Sequence, residues 1–121
     1  MKYNVAVLGA SANPERYSNK AVSALAQAGY DVYPVHPSGK PVNSIRCYPS
    51  LRAIEETLDT ITVYLSESNS APLTEEILRS GPRRVILNPG AENEELKKQC
   101  EAAGIQVLEA CTLVLLATDQ F

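Results

Sequence analysis

Apolar strand-like runs and amphipathic helix-like stretches alternate along this chain from end to end, and that alternation admits few folds. Val5-Ala6-Val7-Leu8 is a short continuous apolar run, the pattern of a parallel strand covered on both faces. A polar loop follows. Beyond it Val22, Leu25 and Ala26 fall on one helical stripe, with Ser18 placed to cap the helix and Gly29 to end it. "DVYPV" reads as a second strand, "SLRAIEETL" as a short helix with Leu51, Ile54 and Leu58 at helical spacing, and "TITVYL" as a third strand rich in β-branched residues. Ser70 is placed to open the next helix, with Pro72 in its first turn and Leu73 and Ile77 facing inward, and "SGP" at Ser80 to Pro82 stops it. "RRVIL" is a fourth strand. "NEELKKQCEAAG" is a helix with Glu94 and Glu95 at its positive end and a buried stripe of Leu96, Cys100 and Ala103. "IQVL" is a fifth strand, and the tail "ACTLVLLATDQF" fits a helical turn or a strand.

Five strands separated by helices within 121 residues imply right-handed βαβ units. The expected fold is α/β, a single domain over residues 1–121, built as a three-layer sandwich of a five-stranded parallel sheet with helices on both faces. Pro34 cannot donate to a sheet ladder, so the second strand must be short or must leave Pro34 where no partner carbonyl waits.

Several function classes are disfavoured at once. The formal net charge is −3, with no Trp and one Phe, which argues against nucleic acid as a partner. The longest aliphatic run, Leu113 to Ala117, is too short to span a bilayer, so no membrane partner is expected. Cys47, Cys100 and Cys111 show no CxxC spacing, and His36 is the only histidine, so no metal site is expected. The cysteine usage, and an N-terminal "MKYNVAVLG" that runs directly into a strand, predict a cytoplasmic protein.

In an open parallel sheet, ligands bind beyond the carboxyl ends of the strands, where the strand order reverses. The candidate site therefore comprises "GASANPERYS", "HPSGK", "SES" and "NPGAEN", the loops after the first four strands. They are rich in small and polar residues and suit an anion with several phosphate oxygens. Two features argue against NAD. Only Gly9 of a GxGxxG pattern is present, and the second strand ends in Val35-His36-Pro37 where an acidic residue would take the ribose hydroxyls. Lys40 and Arg16 instead supply two cations, which suit a ligand with an extra phosphate on its ribose, NADP or coenzyme A.

"GASANPER" followed by Ser18 resembles the GAS-x-x-P-x-R-x-S pattern of the small CoA-binding proteins. The resemblance extends through "GYDVYPVHP", "YPSL", the glycine of "NPGAENEEL" and "AAGIQVLEAC", nearly the whole chain in order. It implies a Rossmann-like domain, similar to the nucleotide-binding domain of the succinyl-CoA synthetase alpha subunit, that holds CoA or acyl-CoA by its ADP portion. It also implies roles for particular residues. The backbone at Gly9, Ala10 and Ser11 would approach the phosphates, and Arg16 and Lys40 would pair with phosphate. Val35, His36 and Pro37 would border the adenine or ribose, and Asn88 and Gly90 would lie by the pantetheine or pyrophosphate. Ser18 is both a capping residue and part of the pattern. No catalytic residue is expected, because His36 has no identified serine or cysteine partner. A component of an acyl-CoA ligase or thioester-transfer enzyme, and a regulatory domain holding an NADP-type nucleotide, are the other classes compatible with these loops. Homodimer formation is left open.

Overall fold

The computed structural model describes residues 3–121. The strands are β1 (Asn4–Leu8), β2 (Asp31–Val35), β3 (Thr60–Val63), β4 (Arg84–Leu87) and β5 (Gln106–Glu109). They form one parallel sheet in the order β2-β1-β3-β4-β5. The helices are α1 (Tyr17–Gln27), α2 (Glu67–Ser70), α3 (Thr74–Ser80), α4 (Glu94–Ala102) and α5 (Thr112–Ala117). The order reverses at β1, where the chain steps to β2 on one side and to β3 on the other, so the crevice of a doubly wound sheet opens above these strands.

The inner strands β1, β3 and β4 are buried on both faces, which is why β1 reads as an unbroken apolar run. Ala6, Leu8, Ile61, Val63, Val85 and Leu87 pack on one side against Ile77 of α3 and Leu96 and Cys100 of α4. Val5 and Val7 pack on the other against Val22 and Leu25 of α1, with Leu116 and Phe121 closing the layer. Each fully buried Val, Leu or Ile contributes about 1.5–3 kcal/mol. This is the expected three-layer sandwich.

Pro34 is accommodated by the edge. Asp31 N–H donates inward to the Tyr3 carbonyl, whereas His36 N–H donates outward to Tyr48. By that alternation Pro34, two residues before His36, turns its ring nitrogen outward from β1. The outward carbonyl of Pro34 accepts the Tyr48 N–H at 2.8 Å, so the 46–48 segment covers the free rim of β2.

Several local expectations are corrected. Arg16, not Ser18, occupies the N-cap of α1; Ser18 lies buried inside the first turn. Ala26 and Ala103 are exposed rather than part of the buried stripes. "SLRAIEETL" forms only a 3-10 turn at Leu51–Ala53, because Leu51, Ile54 and Leu58 reach the core from a wrapped loop. Ser70 ends α2 and is also the N-cap of a second 3-10 turn, Ala71–Leu73, with Pro72 in its first turn as expected, but the α-helix α3 begins only after that turn. The third strand stops at Val63, and the tail resolves as α5.

Candidate functional site

The turn after β1 is closely packed. Gly9 adopts φ 89°, and a Cβ there would stand 2.8 Å from Leu65 Cδ2 and 3.2 Å from the Tyr64 carbonyl carbon. Only glycine meets both demands. The N–H groups of Gly9 and Ala10 both donate to the Val35 carbonyl at 3.1 Å, tying the loop to the end of β2. Beyond them the loop holds itself. Asn13 N–H donates to Ser11 Oγ, Glu15 N–H to Asn13 Oδ1, and Arg16 N–H to the Asn13 carbonyl. The Ser11 and Ala12 N–H groups are the backbone donors of this loop left uncommitted among the described residues.

Two hollows meet at His36. A polar lobe of about 290 Å³ is lined by Ala10, Ser11, Ala12 and Asn13 from the first loop and by His36, Ser38, Lys40 and Val42 from the second. A more apolar lobe of about 390 Å³ is lined by Leu8, Gly9, Val35, His36 and Pro37, and by Pro49, Leu51, Leu65 and Leu73. Its one carboxylate, Glu76, accepts the Leu51 N–H at 2.9 Å. The exposed His36 ring sits between the lobes. Its Nδ1 accepts the Ser38 N–H at 3.0 Å and lies 2.9 Å from Ser38 Oγ, a serine neighbour the sequence did not reveal, and Nε2 has no partner among the described residues. Lys40 is exposed and forms no ion pair among the described residues, so its ammonium is available to an anion in the polar lobe.

Of the sequence-predicted residues, Gly9, Ala10, Ser11, Val35, His36, Pro37 and Lys40 come together around these two lobes. The others stand apart. Arg16 is exposed at the start of α1 and lines neither lobe. Ser18 is buried in the first turn of α1. Asn88 is 1% exposed and fully engaged: Nδ2 donates to Thr62 Oγ1 at 2.6 Å and to the Val63 carbonyl at 2.9 Å, while Oδ1 accepts the Thr112 N–H at 2.9 Å. Gly90 N–H is taken by the Glu92 carboxylate at 3.1 Å.

Other hollows are present, one of about 360 Å³ with Arg52, Glu75, Glu76 and Arg79 in its lining, where Arg79 is paired with Glu75. The one at the amino ends of the strands, about 480 Å³, has Asp31 and the mutually paired Asp59 and Arg83 as its charged groups. Burial pushes the Cys47 and Cys100 thiols up, so both stay protonated and unreactive near neutral pH. Among the described residues, no cluster of His, Cys, Asp or Glu is arranged to hold a metal ion, and no helix is long and apolar enough to cross a membrane.

Sequence reading missed the braces of the polar lobe. Asn19, on α1 and 4% exposed, donates through Nδ2 to the Ser11 carbonyl at 2.8 Å and meets the Asn43 side chain at 3.1 Å. The two residues are separated by 24 positions, and only the available hint, an Asn-Ser pair between Val42 and Ile45, could have marked Asn43 as a turn. Pro49, Leu65 and Leu73 were missed as lining residues because aliphatic loop positions carry no chemical label.

Comparison with known proteins bears on this geometry. A family model described as a CoA binding domain matches residues 3–117. The chain is 27% identical over 104 residues to the uncharacterized protein YneT of Bacillus subtilis, covering 86% of this chain and 77% of that one. A crystal structure of an uncharacterized protein superposes with a TM-score of 0.94 at 33% identity, covering 100% of this chain and 99% of that chain. The dinucleotide-forming acetyl-coenzyme A synthetase 1 of Ca. Korarchaeum cryptofilum, solved with phosphate and ADP, shares the fold. Its TM-score is 0.76 at 20% identity, covering 89% of this chain and 25% of that chain.

Proposed function

The chain belongs to the CoA-binding domain family, and from that premise we propose that it binds coenzyme A or an acyl-CoA through the ADP portion, at the carboxyl ends of β1 and β2, and performs no bond-making step of its own. The observation that carries this reading is the pair of lobes sharing His36. The phosphate-bearing ribose occupies the polar lobe. There Lys40 supplies positive charge, the Ser11 and Ala12 N–H groups supply uncommitted donors, and His36 Nε2 offers a further hydrogen bond. The adenine lies in the apolar lobe against Val35, Pro37 and Leu65, where burial of its faces adds to affinity.

The residues present fit such a ligand. An anion in the polar lobe meets cationic and N–H groups, and no carboxylate lines that lobe. Arg16, outside both lobes, pairs with the pyrophosphate only by swinging over the first loop, so it takes the lesser share. The absence of catalysis is proposed on the missing third group: Ser38 Oγ lies 2.9 Å from His36 Nδ1, but among the described residues no carboxylate or carbonyl takes His36 Nε2 to hold the ring as a base.

Calorimetric titration with CoA, dephospho-CoA and NADP tests the assignment. Saturable binding of CoA, about tenfold or more tighter than dephospho-CoA, is the expected result for a cation in contact with the 3′-phosphate. No heat from CoA at millimolar concentration removes the proposal, and tighter binding of NADP transfers the site to a dinucleotide.

A further inference from the structure

Val42 and Ile45 exchange backbone hydrogen bonds at 3.0 and 2.9 Å around a two-residue turn, Asn43-Ser44. Both turn residues are left-handed, at φ 52° and 66°, although neither is glycine. Such conformations carry a cost that the surroundings must offset. What offsets it is the reach of the Asn43 amide. Nδ2 donates to Ser23 Oγ at 2.7 Å and to Asn19 Oδ1 at 3.1 Å, while Oδ1 accepts from Asn19 Nδ2 at 3.1 Å. Asn19 in turn holds the Ser11 carbonyl at 2.8 Å. A trans peptide points its carbonyl and its N–H in opposite directions. Holding the Ser11 carbonyl toward Asn19 therefore turns the Ala12 N–H, uncommitted and in the lining of the polar lobe, away from α1. At the other end, the clamped Asn43 anchors the segment that carries Lys40 and Val42 on the opposite wall.

We propose that Asn19 and Asn43 are positioning residues that hold the two walls of the polar lobe at a fixed separation, and that this clamp sets the preference for a nucleotide bearing a ribose phosphate. The inference rests on the CoA reading given above. The clamp touches neither the ligand nor Lys40; it fixes the geometry in which an ammonium on one wall and an N–H on the other reach the same phosphate. A few tenths of an ångström of slack weakens short charge-assisted hydrogen bonds far more than it weakens stacking of an adenine in the second lobe.

The decisive variant is Asn43→Gly, since glycine keeps the left-handed turn and deletes only the amide. Ser44→Gly is the control that relaxes the same turn and leaves the clamp in place. CoA and dephospho-CoA affinities are measured for both and for the unaltered chain, with thermal midpoints as a check on folding. The clamp predicts that Asn43→Gly brings the ratio of the two affinities to within about twofold, mainly through loss of CoA affinity, while Ser44→Gly keeps the full ratio. An Asn43→Gly protein that still prefers CoA by the original factor overturns the clamp and leaves the CoA reading intact. An unaltered protein that takes neither nucleotide overturns the CoA reading, and the selectivity claim with it.

Discussion

The Val35 carbonyl accepts the Gly9 N–H at 3.1 Å, and the Ala10 N–H at the same distance. The loop after β1 thus begins with two donors spent on the neighbouring strand, and on the CoA reading the phosphate is met further along, at Ser11 and Ala12. Gly9 is needed for the turn itself. Gly9→Ala is expected to destabilise the fold by about 2–4 kcal/mol, the sum of an unfavourable positive φ and a Cβ forced against Leu65 and Tyr64. Chemical denaturation checks it through a lowered midpoint at unchanged slope.

Lys40→Ala should cost CoA binding about 1.5–3 kcal/mol, the value of a charge-assisted hydrogen bond, while dephospho-CoA affinity stays within about twofold. Arg16→Ala should cost less, because Arg16 lines neither lobe. Titrations of the two variants side by side rank the cations, and the reverse order would move the phosphate toward α1.

Asn88→Ala should act on stability and leave affinity per folded molecule unchanged. It strips a buried amide from Thr62, the Val63 carbonyl and the Thr112 N–H, leaving the last without a partner inside the protein. The expected loss is about 2–4 kcal/mol. Thermal unfolding with and without CoA separates the two effects, since a ligand-contact role would also shrink the stabilisation that CoA confers.

Acid should loosen the amino ends of the strands first. Burial pushes the Asp59 carboxyl up, but hydrogen bonds from Arg83 and Thr60, with the charges of Arg83 and Arg84, outweigh it and hold the group below its ordinary value. A carboxyl depressed in the fold binds protons more weakly than in the unfolded chain. Its stabilisation is therefore fully present above the unfolded value, near pH 4, and is lost as pH falls through the lower folded value. Denaturation midpoints should fall as pH drops below about 4, and Asp59→Asn should flatten that slope. An unchanged slope would assign the acid sensitivity to other carboxyls.

The parts legible in the sequence were those fixed by local pattern. The Val5–Leu8 run followed by a polar loop placed β1 and the crevice, and the "SGP" stop was confirmed by the left-handed Gly81 that ends α3. Errors arose where a local signal competed with packing. Ser18 is a good capping residue, but burial drew it into the first turn of α1, where Arg16 takes the cap position without a side-chain bond. Leu51, Ile54 and Leu58 keep helical spacing, yet their loop delivers them to the core with a single 3-10 turn. Asn88 was read for ligand chemistry from its loop, whereas its amide is consumed by Thr62 and Thr112, partners that no local window contains. Asn19 and Asn43 stayed hidden for the same reason.

Every residue lining the two lobes comes from the first part of the chain, ending at Glu76. The β4-α4-β5 unit presses against that half as a buttress and lines neither lobe. On the CoA reading, replacing this unit with a foreign one of equal shape would therefore change how firmly the molecule stands, and leave what it selects to the half that remains.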